Sequence, residues 1–235
     1  MERFSFGENW ISFSMTALNV DRVNDARRDF NRLLGDIILE GKSFLDIGFG
    51  QGLALMLASE LGAKCVGIDL DLLCLDALKQ TATFFPNVAM PPVETASILD
   101  IDTVKRHSIH GGYDFVHSWG VLHHTGDLHS ALANAASLVK PGGYLIVAIY
   151  NTHWSSPVWV WIKRLYCIGP SILQKIMIAF FYPIIFVAKW LITGEDPRKK
   201  ERGMNFRHDI IDWLGGYPYE TYPSCGSRRE KDLKW

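Results

Sequence analysis

Phe44-Leu45-Asp46-Ile47-Gly48-Phe49-Gly50-Gln51-Gly52 runs an apolar strand into a glycine turn, and the residues after it have a helical pattern. Glycines there let backbone approach a ligand and adopt positive φ without a Cβ penalty. A dinucleotide fingerprint would need glycines at 48, 50 and 53, but position 53 is Leu, which disfavours a pyrophosphate on the helix N-terminus. Asp46, just before the turn, would repel phosphate and attract an ammonium group. Gly67-Ile68-Asp69-Leu70-Asp71 places Asp69 21 residues beyond Gly48, the position from which a strand-end carboxylate accepts both hydroxyls of a ribose. A nucleoside with a cationic tail suits both carboxylates.

Around this stretch, short apolar runs alternate with amphipathic ones. Strands are expected at Ser43–Gly48, Lys64–Asp69, Val93–Ser97, Tyr113–Ser118 and Tyr144–Tyr150, with helices near Gln51–Leu61, Leu72–Thr83, Asp100–Arg106 and Asp127–Val139. Such alternation implies βαβ units in an α/β, doubly wound, mostly parallel sheet with helices on both faces. Gly62 should stop the first of these helices, and Pro141-Gly142-Gly143 should turn the chain into the last strand. Residues 1–40 read as a helical cap starting near Asn9, residues 41–151 as the nucleoside-binding core, residues 152–220 as an apolar helical insertion or lid on the acceptor side, and residues 221–235 as a polar tail. After residue 220 no alternating apolar pattern follows, so C-terminal strands are expected to be missing. The edge left open would favour pairing of two copies.

Composition narrows the function classes. The chain has 235 residues, 48% hydrophobic and 21% charged, with a net charge of −1. This is a folded chain with no global field for nucleic acid. Four cysteines without paired spacing argue against a metal site or a disulfide framework. The N-terminus has no basic region followed by an apolar run, so a cytoplasmic setting, or the cytoplasmic face of a membrane, is expected. Charge is unevenly placed: from Trp154 to Thr193 there are four bases (Lys163, Arg164, Lys175, Lys189) and no acid. The apolar run Ile176–Ala188 within it has thirteen residues, short of the roughly 20 that span a bilayer, and Pro183 should kink it. It therefore reads first as a lid and second as a peripheral membrane contact through 154–193.

FLDIGFGQG (44–52), GIDLD (67–71), ETASILD (94–100), YDFVHSWGVLHHT (113–125) and LVKPGGYLIVAIYN (138–151) occur in the order of the class I S-adenosylmethionine-dependent methyltransferases, which this chain resembles. FGENW, SSPVWVWIKRLY and RGMNFRHDIIDWLGGYPYE (202–220) are similar to the bacterial ubiquinone-type small-molecule O-methyltransferases. The resemblance implies a Rossmann-like fold, S-adenosyl-L-methionine as cofactor, no metal, and a small, apolar acceptor methylated by in-line displacement. It further implies that Asp46 holds the methionine amino group and that Gly48, Gly50 and Gly52 let the cofactor lie on backbone. Asp69 would take the ribose hydroxyls, Leu70, Ser97 and Ile98 would flank the adenine, and Ser118 and Trp119 would border the transferring methyl. A hydroxyl acceptor keeps its proton at pH 7 and calls for a base. His123, His124 and His208 with Asp209 are the candidates, with His124 ranked ahead of His208. Three rival readings stand beside this one: a non-catalytic cofactor-binding module, a nicotinamide-dependent dehydrogenase, which Leu53 opposes, and a membrane-docking structural protein.

Overall fold

The computed structural model describes residues 4–109, 111–198 and 205–223. Five strands, β1 (Ser43–Ile47), β2 (Lys64–Asp69), β3 (Val93–Thr95), β4 (Tyr113–Trp119) and β5 (Val139–Ala148), form one sheet in the order β3-β2-β1-β4-β5. Every neighbouring pair is parallel. Successive residues of β1 feed opposite faces, as the two-residue period of a strand requires. Phe44 packs among α2 (Val20–Leu34), α3 (Leu53–Glu60) and α4 (Leu73–Ala82), whereas Leu45 and Ile47 pack toward α5 (Ile101–Ser108) and α6 (Leu128–Ser137). Helices thus cover both faces, the doubly wound arrangement expected from the pattern. Among the described residues no sixth strand joins the sheet, and beyond β5 there is only an isolated parallel bridge between Asn151 and Tyr222.

Several local expectations are corrected. Pro141-Gly142-Gly143 lies inside β5, where the register against β4 shifts between Tyr113 and Phe115, so it makes a bulge and not an entry turn. The third strand stops at Thr95. The N-terminal helix begins at Phe6 and is two helices, α1 (Phe6–Thr16) and α2, because Asn19 Oδ1 accepts the Arg22 N–H at 3.0 Å and starts a new helix. Of the polar tail, only residues 221–223 are described; Cys225 and residues 199–204 also lie outside the described residues. The three described cysteines are free thiols, and no cluster of metal-ligating side chains occurs among the described residues.

The segment after the sheet forms three helices, α7 (Ser156–Ile168), α8 (Ser171–Thr193) and α9 (Phe206–Gly215), around a small core of Tyr166, Met177, Phe206, Ile210 and Leu214. The thirteen-residue run is therefore part of a 23-residue helix that continues through Pro183. Met177 is its one buried residue among those described. By length and composition alone α8 is long and apolar enough to cross a membrane.

At the N-terminal end of the strands, Asp114 joins β1, β4 and β5. Its Oδ2 accepts the Ser43 N–H at 2.8 Å and the Ser43 hydroxyl at 2.7 Å, with Lys140 Nζ at 3.4 Å. These donors, the Ser43 hydroxyl foremost, lower the Asp114 carboxyl from 3.8 to about 2. A carboxyl depressed in the folded state contributes stability above its unfolded value and loses it as pH falls through the folded one. Asp114→Asn is accordingly expected to lower the melting temperature at pH 7. In thermal unfolding at a series of pH values, the gap from the parent should close between about pH 4 and pH 2.

Candidate functional site

The carboxyl ends of the strands open onto a cleft of ≈ 1230 Å³, at the edge where ligands of open α/β sheets bind. Its floor is the turn after β1. Gly48 and Gly50 have φ of +73° and +55°, and a Cβ on either would strike a neighbour, Val121 at 2.3 Å or Trp10 Nε1 at 2.9 Å. Only glycine supplies that backbone and that cradle. The turn is pinned to β2 twice: Gly48 N–H donates to the Ile68 carbonyl at 2.7 Å, and Gly50 N–H to Asp69 Oδ2 at 2.9 Å. Asp69 Oδ1 accepts the Asp71 N–H at 3.0 Å. Burial raises the Asp69 carboxyl, and the backbone donors of Asp71 and Gly50 oppose that rise. The Cys74 thiol bonds this carboxyl as well, which leaves it one lone pair for a further donor.

Asp46 is 2% exposed, and its Oδ1 accepts from His117 Nδ1 at 2.7 Å. A carboxylate only accepts, so Nδ1 carries the proton in this bond. The imidazole, itself 4% exposed, stacks between Phe44 and Trp119 at interplanar angles of 27° and 12°. His117 was not among the residues singled out from the sequence. Its alternation with Phe115 and Trp119 on one side of β4 was the available signal.

Asp46, Gly48, Gly50, Asp69, Leu70, Ser97, Ile98, Trp119 and His124 all line the cleft. Gly52 and Ser118 do not. Gly52 is the left-handed N-cap of α3, packed on Leu78 of α4. Ser118 is fully buried and donates its hydroxyl to the Ile47 carbonyl at 2.9 Å, holding β4 to β1. Beyond β3 the Ile98 carbonyl is taken by Asn134 Nδ2 at 2.8 Å and the Ser97 hydroxyl accepts the Leu99 N–H at 3.2 Å. Phe4, Phe6 and Trp10 also line the cleft, Trp10 lying against Gly50. Asp71 ties this cap down by accepting the Gly7 N–H at 2.9 Å.

Residues 19–208 match the protein family described as "Methyltransferase domain". The chain belongs to that methyltransferase family. It is 32% identical over 143 residues to a ubiquinone biosynthesis O-methyltransferase of Rhodopseudomonas palustris (strain BisB18), a match covering 59% of this chain and 52% of that relative. A relative of the same description from Alkalilimnicola ehrlichii is 31% identical over 131 residues, covering 55% of this chain and 49% of its own. The chain spans about half the length of the curated relatives it matches. Solved structures with a similar fold include magnesium protoporphyrin IX methyltransferase of Synechocystis with bound S-adenosylhomocysteine. For it the TM-score is 0.47 and the identity 21%, over 65% of this chain and 67% of that one.

The cleft suits a nucleoside with a cationic tail. The glycine turn brings its backbone to the cleft where a Cβ would meet Val121 or Trp10, a buried carboxylate stands before it, and a second carboxylate at the end of β2 has a lone pair to offer.

The far end of the cleft is built by the segment read as a lid. Lys163 of α7, expected on an interfacial surface, is fully buried: it donates to the Trp213 carbonyl and lies over the Tyr219 ring at 4.9 Å and the Tyr150 ring at 5.9 Å. Burial pulls its ammonium down to about 8, against the raising effect of Asp212. His124 donates from Nδ1 to the Pro218 carbonyl at 2.7 Å, and burial lowers its pKa to about 4. His208 lies outside the cleft lining, hydrogen-bonded to Asn205 and Ser12 at 3.2 Å each. His123, Asp209 and Asp212 line the cleft.

Replacing His117 with Phe keeps the ring stack and strands the buried Asp46 charge. Breaking one side of such a pair costs about 3 kcal/mol or more, so urea unfolding of His117→Phe should show a loss of that order. Adding Asp46→Asn should recover part of it, since the two changes share one interaction.

Proposed function

We propose that this chain transfers a methyl group from S-adenosylmethionine to a small, apolar acceptor by in-line displacement. When bound, the cofactor supplies an electrophilic methyl on a sulfonium that leaves as a neutral thioether. The protein's part is then alignment, with the acceptor held about 3 Å from the methyl. The observation that carries this reading is the pair Asp46 and Asp69 on either side of the glycine cradle in one cleft. Asp46, oriented by His117, takes the methionine ammonium, and Asp69 takes the ribose hydroxyls. Leu70, Ser97 and Ile98 border the adenine, and Trp119 the methionine chain. The relatives named as ubiquinone biosynthesis O-methyltransferases support a hydroxyl-bearing, lipophilic acceptor.

The outer face of α7 and α8 supports a second element of the proposal, contact with a membrane surface from which such an acceptor is collected. Ile172, Ile176, Phe180, Ile184, Val187 and Leu191 recur three or four residues apart and are 48–72% exposed, which makes one continuous apolar stripe. Trp161 at 69% and Trp190 at 52% exposure flank it, as in helices that lie in the interfacial plane. The basic excess is smaller than the sequence suggests, because Lys163 is buried and Lys189 pairs with Asp209 at 3.1 Å. Apolar insertion, more than charge, therefore drives the contact.

Isothermal titration should show binding of S-adenosylmethionine and S-adenosylhomocysteine but not NAD. Asp69→Ala should weaken it about ten- to a hundredfold, the worth of hydrogen bonds to a charged group. Retained binding in Asp69→Ala would remove its ribose role. In flotation with phosphatidylcholine vesicles, with and without phosphatidylglycerol, the protein should rise in both and Phe180→Glu should stay behind. A parent protein that stays behind in both counts against the membrane contact.

A further inference from the structure

His123 is 1% exposed and lines the cleft, yet neither ring nitrogen has a hydrogen-bond partner. Leaving a buried polar group unpaired costs a large part of its hydration energy, and such groups in folded proteins are rare. Its ring is held in place, 4.1 Å from the Tyr150 ring and 4.2 Å from that of His124. A second orphan lines the same cleft. Asp212 Oδ1, also on the cleft lining, is sealed from solvent and accepts no hydrogen bond. Lys163 connects the two: it acts electrostatically on both His123 and Asp212 and sits over Tyr150. A neutral imidazole offers one donor and one acceptor, and a carboxylate offers acceptors. Together they lack what a hydroxyl carries, one lone-pair oxygen and one O–H.

We propose that His123 and Asp212 form the acceptor subsite, where an apolar phenol-type hydroxyl donates to the Asp212 carboxylate while its oxygen accepts from His123. This rests on the methyltransferase reading and names the acceptor's chemical class. In the transfer, the hydroxyl oxygen bonds to the methyl carbon, the carbon–sulfur pair stays on sulfur, and the hydroxyl proton passes to Asp212. His124 is the neighbouring ring that braces His123, and its own Nδ1 is committed to Pro218.

The ionisation of the surrounding groups agrees. Burial and the nearby Asp209 raise the Asp212 carboxyl to about 7, with Lys163 and the Asn9 side chain opposing. Asp209 is itself paired with Lys189. Burial, with His124 and Lys163 beside it, lowers His123 to about 2, and His124 lies at about 4. Both imidazoles therefore stay neutral from pH 6 to 8. Tyr150 is raised by burial and the nearby acids and remains protonated there. Lys163 titrates at about 8, above most of the range. Asp212 is thus the group facing the subsite whose charge changes most between pH 6 and 7.5, with Lys163 beginning to lose its proton at the upper end.

The test uses the full chain saturated with S-adenosylhomocysteine and two probes, 4-propylphenol and its methyl ether 4-propylanisole, titrated by calorimetry from pH 6 to 7.5. The phenol should bind at least about tenfold more tightly than the ether, since only it supplies the missing donor. Its affinity should rise with pH as Asp212 ionises. Asp212→Asn should abolish the pH dependence, and His123→Phe should weaken the phenol and the ether alike, since the oxygen of each accepts from His123, leaving the phenol's advantage over the ether in place. Retained S-adenosylhomocysteine binding in each variant reports that its site is built. Equal binding of phenol and ether, no binding of the phenol, or a pH dependence that persists in Asp212→Asn overturns the proposal. The wild-type comparison decides it even where a variant fails to fold. A chain that does not bind S-adenosylhomocysteine overturns the methyltransferase reading instead.

Discussion

The turn between β1 and α3 holds the site together, and it exists because three glycines adopt a backbone that other residues resist. Gly48, Gly50 and Gly52 all have φ between +55° and +74°, which folds the chain back from the strand within a few residues. This brings the Gly50 amide onto the Asp69 carboxylate. β2 is thereby fixed to the turn by a side chain that also faces the cleft. The same turn leaves Asp46 facing the cleft, where its carboxylate accepts from the His117 imidazole. The glycine turn and the placement of both carboxylates at the cleft follow from one local conformation, so they stand or fall together.

The parallel, doubly wound sheet could be read from the sequence because β-strand and helix periods differ and alternate cleanly from residue 43 to 151; the strand order came only with the structure. The cleft residues around the glycine turn were legible for a related reason: they lie within a few residues of strand ends, where topology dictates what faces the cleft. Ser118 shows the limit of that inference. It sits at the end of β4 as expected, but strand alternation turns its side chain onto the Ile47 carbonyl and leaves Trp119 at the cleft. Pro141-Gly142-Gly143 carried turn chemistry, yet a bulge uses the same permissive glycine backbone, and only pairing with β4 separates the two.

The end of the cleft built by α7 and α9 was not legible. Lys163 looks like a surface base because its local pattern, Trp-Ile-Lys-Arg-Leu, is that of an interfacial helix. What buries it is α9 and the Tyr150 and Tyr219 rings, all distant in sequence. Asp212 reads as an ordinary solvated residue of an amphipathic helix until Asn9, Lys163 and Tyr150 are packed around it. Likewise, the apolar run ended at Lys175 and Lys189 on paper, whereas helix formation continues through such long side chains, which lose little freedom there.

Pro183 has a consequence for how α8 can meet lipid. A proline in mid-helix frees the carbonyl four residues earlier, here that of Ala179, and both residues are on the solvent side. Water satisfies that carbonyl at the protein surface, and so would the hydrated headgroup layer. Hydrocarbon would not, and among the described residues no helix covers the exposed face of α8. At a membrane the proline would therefore set a depth limit: the stripe of Ile and Phe could be submerged at the boundary, whereas deeper insertion would require a new donor for the Ala179 carbonyl.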